Sequence, residues 1–258
     1  MRKIKLLLSY DGSGYQGWQR QPGKATIQGA LEEALGKIYA QPVKTVGSGR
    51  TDAGTHALGQ VAHFEAPKTL KGEERLMRAL NSLLPENIVV KKAWLAPEDF
   101  HALFAARRKT YIYRIWNSPV RSALWRERAL WVPQPLNLAR LNEISQGLVG
   151  EHDFKSFQTT GTAVKTTIRS IEEARWKALS GEHLIEFRIR GNGFLKQMVR
   201  NLVGTLLHLE RNGGGAEELK AIFDARDRQK AKTTVPAHGL YLYRVEYPPA
   251  LDNKCRKL

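Results

Sequence analysis

Strand-like and helix-like apolar periodicities occur in the same order twice along this chain, which narrows the fold more than any other property. Lys3–Tyr10 is a short apolar run ended by the turn cluster Asp11-Gly12-Ser13-Gly14, and it predicts a strand. Ile27, Ala30, Leu31, Ala34, Leu35 and Ile38 recur at helical spacing, with Thr26 placed to cap the helix N-terminus. Pro42–Gly47 predicts a second strand. Gln60–Ala66 predicts a third, with Ala62, Phe64 and Ala66 alternating against His63 and Glu65. A helix over Glu73–Leu84 stops before Pro85, and Ile88–Leu95 closes the set as a strand. The order is β-α-β-β-α-β, a ferredoxin-like unit of the α+β class.

The second half repeats that order with longer insertions. Strands are predicted over Tyr111–Trp116, Ile168–Lys177, Leu184–Arg190 and Gly239–Val245. Helices are predicted over Leu138–Val149 (capped by Asn137), Phe194–Arg211 and Ala216–Arg226, with Asn212-Gly213-Gly214-Gly215 as a stop signal. Residues 117–137 read as irregular. Two such units side by side form a cleft between them. The expected division is 1–105 and 106–248, followed by a basic tail at 249–258, and no Gly/Ser-rich linker marks the boundary.

Charge points to the kind of partner. The chain has 258 residues, 41 Lys plus Arg against 25 Asp plus Glu, and a formal charge of +16. Residues 1–104 carry 14 basic and 10 acidic side chains, and residues 105–258 carry 27 and 15, so most of the excess lies in the second half. Such asymmetry suits a polyanion, nucleic acid above all, although a merely basic surface accounts for it too. No apolar run approaches the ~20 residues of a bilayer span, and the apolar core near the N-terminus is too short for a signal peptide. One cysteine, Cys255, excludes an internal disulfide framework and a Cys-based zinc site. The reading is a reduced, cytoplasmic, globular protein.

Three segments can carry chemistry. Gly47-Ser48-Gly49-Arg50-Thr51-Asp52-Ala53-Gly54-Thr55-His56-Ala57 lies between two predicted strands, and its glycines let it present Arg50, Asp52 and His56 to a closely approaching ligand. The plainer alternative is a hairpin connection with a turn-forming Asp. A phosphate loop fits poorly, because the glycine spacing matches no nucleotide fingerprint and no helix follows. The second segment is Arg107-Arg108-Lys109-Thr110-Tyr111-Ile112-Tyr113-Arg114. A strand tyrosine here can stack on a base or move a proton, or simply pack in the core with its hydroxyl satisfied. The third is the long helix, where Lys196, Arg200, Gly204 and His208 fall four apart beside an apolar face. A solvated polar face is the usual explanation for such a stripe, but this helix is more apolar than a surface helix needs to be, which makes Arg200 a candidate for a paired, cleft-facing arginine. His56 and His63 lack companions at metal-ligand spacing.

Taken together, Arg50-Thr51-Asp52-Ala53-Gly54-Thr55-His56-Ala57, Tyr10-Asp11-Gly12 and Gly17-Trp18-Gln19-Arg20-Gln21 closely resemble the tRNA pseudouridine synthase A family. Asp99-Phe100-His101-Ala102, Lys109-Thr110-Tyr111, Asp153-Phe154, Ser156-Phe157, Met198-Val199-Arg200-Asn201 and Val203-Gly204 resemble it in the same order, from about residue 3 to Tyr247. Thr55 departs from the family's usual Val, beside the loop's chemical positions and not at one of them. The resemblance implies the pseudouridine synthase fold, with Asp52 as the catalytic aspartate, Tyr111 beside the target base and Arg200 ion-paired near Asp52. It further implies RNA-binding roles for Arg50, His56, Arg20, Arg107, Lys109 and Lys196. It also implies action on uridines of the tRNA anticodon stem and loop, no cofactor or metal, and a homodimer with a deep basic cleft. Isomerising uridine adds and removes no atom, so one ionised carboxylate can serve as nucleophile or base. A non-catalytic RNA-binding module is the rival expectation, since ferredoxin-like units with strand aromatics also bind single-stranded RNA.

Overall fold

Alternation along the first strand, β1 (Arg2–Tyr10), places Ile4, Leu6, Leu8 and Tyr10 in the core. The computed structural model describes residues 2–67, 72–159, 161, 164–179 and 183–257. They divide into one unit of residues 1–108 with 242–258 and a second of residues 109–241.

In the first unit β1 leads to α1 (Ile27–Tyr39), where the Thr26 hydroxyl accepts from the Gly29 N–H as the expected N-cap. β2 is confined to Thr45–Gly47, shorter than expected, and pairs antiparallel with β3 (His56–Ala66). Pro42 has no N–H for a ladder, which suits its place outside the strand. β3 starts four residues earlier than the alternation suggested, because Ala57 pairs with Tyr10. α2 (Glu73–Leu83) and β4 (Ile88–Ala96) complete the β-α-β-β-α-β order, and the strands lie 4-1-3-2.

The second unit builds on β5 (Arg108–Asn117), its central strand, with β6 (Leu130–Val132) parallel to its end. α3 (Leu138–Gln146) is capped by the Asn137 side chain and ends three residues before Val149. β7 (Gly150–Asp153), β8 (Ile168–Ala178) and β9 (Leu184–Gly191) follow, with β9 between β8 and β5. α4 (Met198–Arg211) buries Met198, Val199, Leu202, Leu206 and Leu209, and α5 (Ala216–Ala225) packs after it. α4 begins at Met198, not Phe194, because Gln197 is left-handed and Thr159 binds both the Lys196 carbonyl and the Gln197 side chain. Lys196 is therefore exposed ahead of the helix and takes no part in a helical stripe with Arg200.

β10 (Leu240–Glu246) carries the chain back into the first unit, where Tyr243 runs beside Gly59 of β3. The last residues are structured instead of trailing as a tail. α6 (Pro249–Asp252) is followed by β11 (Arg256–Lys257), which pairs with β4. Lys5 ion-pairs with Asp252 and lies over the rings of Trp94, Phe100 and Tyr247 at 4.9, 5.3 and 5.0 Å. Among the described residues no helix is long and apolar enough to cross a membrane.

Candidate active site

The first unit holds the Asp52 loop, which spans the β2–β3 connection. Its start is tied to β3: the Ser48 N–H donates to the Val61 carbonyl (2.7 Å) and the Ser48 hydroxyl to Gln60 Oε1 (2.6 Å). Gln60, fully buried, also donates from Nε2 to the Gly49 carbonyl (3.1 Å). Thr51 shares a 2.9 Å hydrogen bond with the Tyr10 hydroxyl, and its carbonyl accepts from the Trp18 N–H at 3.1 Å. Burial pushes the Tyr10 phenol up to about 12, so it stays neutral as a donor.

Asp52 opens a tight turn in which the Thr55 N–H returns to the Asp52 carbonyl (3.1 Å) and Gly54 takes φ +75°. That is the third position of a type II turn, where a side chain is strained. The hairpin-turn reading is thus correct for the backbone. The turn leaves the Asp52 side chain half-buried and Arg50 exposed.

A second loop, residues 11–17, packs directly on this turn. A Cβ at Gly12 would lie 2.1 Å from the Thr55 carbonyl oxygen, so only glycine permits the approach. His56 is buried, with Nδ1 3.0 Å from the Gly12 nitrogen and 3.1 Å from Asp11 Oδ1. Its ring ties the two loops and is closed to solvent. Arg20 is exposed, and one end of its guanidinium donates to Glu32 at 3.0 Å. Arg107 is exposed, with its backbone N–H on the Glu246 carbonyl (2.8 Å).

The second unit carries Lys109, Tyr111 and Arg200. Alternation puts Lys109, Tyr111 and Tyr113 on one face of β5. Tyr111 is buried, its ring edge-on to Phe194 at 5.1 Å between centroids. Tyr113 is the core tyrosine of the pair: its hydroxyl donates to the Pro236 carbonyl at 2.8 Å, and burial raises its ionisation well above the usual range. Arg200 is half-buried near Tyr113, whose phenol feels its charge, and Nε donates to the Val235 carbonyl at 2.8 Å. The segment holding that carbonyl is fixed by Arg228, which bonds the Ala231 and Lys232 carbonyls, Asn201 and Thr234.

Gln60 and Arg228 escape sequence reasoning. A glutamine at an inward position of an apolar alternation was the available signal for the first. The second lies in a polar stretch with no local mark. Among the described residues, no three His, Cys, Asp or Glu side chains come together as metal ligands.

The profile described as tRNA pseudouridine synthase matches residues 7–105 and 144–248. A Bdellovibrio bacteriovorus protein named tRNA pseudouridine synthase A is 47% identical over 99% of both chains. Proteins of the same name from Anoxybacillus flavithermus and Maridesulfovibrio salexigens are 44% and 42% identical over 96% of this chain, and over 99% and 91% of their own. With the profile matched over well more than half of the chain and these relatives aligned over nearly all of it, this chain belongs to the tRNA pseudouridine synthase family.

Proposed function

We propose that the chain isomerises uridine to pseudouridine in the anticodon stem and loop of tRNA, with Asp52 as the reacting carboxylate. The supporting observation is the clamped turn: Ser48, Gln60, Tyr10 and Trp18 fix the backbone before Asp52, and the Gly54 N–H on the Tyr15 carbonyl (3.3 Å) fixes it after, so its carboxylate is carried on a well-held loop. The reaction breaks the N1–C1′ bond, turns the base, and forms the C5–C1′ bond. The proton lost from C5 is balanced by one gained at N1, so no cofactor or metal enters the scheme. Asp52 attacks C1′ or removes a sugar proton. Arg200 pairs with Asp52, while Tyr111 holds the detached base and takes the C5 proton.

Arg50, Arg20, Arg107, Lys109 and Lys196 contact RNA phosphates, and His56 supports the loop from beneath. Phosphate contacts position the RNA, and the target base leaves its stack at a cost of a few kcal/mol. The working form is a cytoplasmic homodimer whose basic cleft receives tRNA. Asp52→Asn tests the assignment: pseudouridine formation in unmodified tRNA is lost while tRNA affinity is kept or tightened. Retained turnover in that variant overturns it.

A further inference from the structure

Lys109 feels the charge of Arg169, and among the described residues neither is paired with an acid. Lys109, near the start of β5, sits opposite Gly191 of β9, and Gly191 sits opposite Ile171 of β8. Arg169 stands two residues before Ile171 on the same strand. Gly191 itself puts no side chain in this row, where a Cβ would lie 2.6 Å from the Ser170 carbonyl oxygen and 2.7 Å from Ile171 Cδ1. The backbone at Gly193 passes so close to Arg169 that a Cβ there would lie 3.6 Å from Nε.

Arg169 is anchored, its Nη1 donating to the Thr166 (2.9 Å) and Ile168 (2.6 Å) carbonyls. Both cations are half-buried, and among the described residues neither has a carboxylate partner. Burial first, and then the Arg169 charge, lowers the Lys109 amine to about 8. Two like charges facing one another in a partly desolvated place oppose each other, and one anion placed between them relieves both.

We propose that Lys109 and Arg169 jointly seat one phosphodiester of the RNA, the one flanking the uridine contacted by Tyr111. This rests on the isomerase reading above. A guanidinium fork with an ammonium point charge suits a phosphate. The location suits a nucleotide: Lys109 and Tyr111 share a face two residues apart, roughly 7 Å along the strand. Gly193, against Arg169, immediately precedes Phe194, whose ring meets Tyr111.

The test is the salt dependence of binding to unmodified tRNA for wild type, Lys109→Gln, Arg169→Gln and the double variant. Each single variant weakens binding about tenfold. Because both cations hold the same phosphate, the double variant lowers the slope of log affinity against log salt by about 1, not 2. An unchanged slope, or a drop of about 2, overturns the shared seat. If Arg169→Gln does not fold, a stem-loop RNA with one neutral methylphosphonate beside the target uridine decides. Wild type then loses about tenfold on the neutral linkage and Lys109→Gln loses nothing further, whereas equal further loss in the variant overturns the proposal. Absence of pseudouridine formation by wild type overturns the isomerase reading instead, independently of these slopes.

Discussion

Replacing Gly204 with alanine sets helix propensity against packing, and the geometry says which wins. In the middle of α4, alanine is intrinsically favoured by about 1 kcal/mol. A Cβ there would lie 1.8 Å from the Thr233 carbonyl oxygen. Ordinary carbon–oxygen contacts begin near 3.3 Å, so the 231–235 segment must retreat by about 1.5 Å. It is not free to do so. Arg228 holds it at Ala231 (3.0 Å), Lys232 (3.3 Å) and Thr234 (2.8 Å), and the Lys232 N–H donates to Thr205 of the same helix at 3.1 Å.

Overpacking costs about 1–3 kcal/mol, and each hydrogen bond broken by the retreat adds about 1. Net destabilisation is about 2 kcal/mol, lowering Tm by roughly 4–8 °C for a chain of this size. Calorimetry of Gly204→Ala beside Gly36→Ala measures it. In α1 a Cβ at Gly36 meets only the Gln41 carbonyl oxygen at 3.7 Å, an ordinary contact, so that variant gains about 0.5–1 kcal/mol. Retreat of Val235 also draws away the carbonyl that Arg200 Nε binds, so pseudouridine formation in folded Gly204→Ala falls. If Gly204→Ala is stabilised as much as Gly36→Ala, the close approach is not a real constraint and the reasoning fails.

Three further outcomes follow from buried polar groups. Tyr10→Phe removes the hydrogen bond to Thr51, which costs about 1 kcal/mol by urea unfolding and slows pseudouridine formation with tRNA affinity retained. His63 is pulled down to about 4 by burial, with His101 and Lys3 adding to the effect, while its Nδ1 accepts the Ala102 N–H. The unfolded chain therefore binds more protons than the folded one between about pH 6.5 and 4, and stability falls as pH drops through that window. Urea midpoints for His63→Gln fall less over the same range. Lys109 titrates near 8 when folded against about 10.4 unfolded, so stability rises from pH 8 to 10, and Lys109→Met flattens that rise. The Lys109 amine, followed by NMR, titrates higher in Arg169→Gln; an unchanged value contradicts the charge contact between them.

Local signals in the chain were reliable where the structure is local. Thr26 and Asn137 cap helices as their residue types suggest, and the Gly54 turn follows from its own glycine. The motif around Asp52 was recognisable because its residues are consecutive. What holds it was not: Gln60 comes from β3, Tyr10 from the end of β1 and Trp18 from the loop after β1, brought together only by strand pairing. His56 stands in the same motif with the look of a ligand-facing group, yet it is buried against Gly12 and Asp11, 44 and 45 residues away in sequence. Lys196 shares helical spacing with Arg200, yet Thr159 ends the helix pattern before it begins there.

The amino-acid sequence by itself determined the α+β class, the β-α-β-β-α-β order of the first unit and the loop that carries Asp52, because periodicity, capping and turn chemistry act over a few residues. Only the tertiary structure decided that residues 242–258 fold with the first unit, through Lys5 with Asp252 and β11 on β4. It alone set Arg169 against Lys109, 60 residues apart in sequence. Such contacts depend on burial and charge between distant segments, which no short window of sequence records.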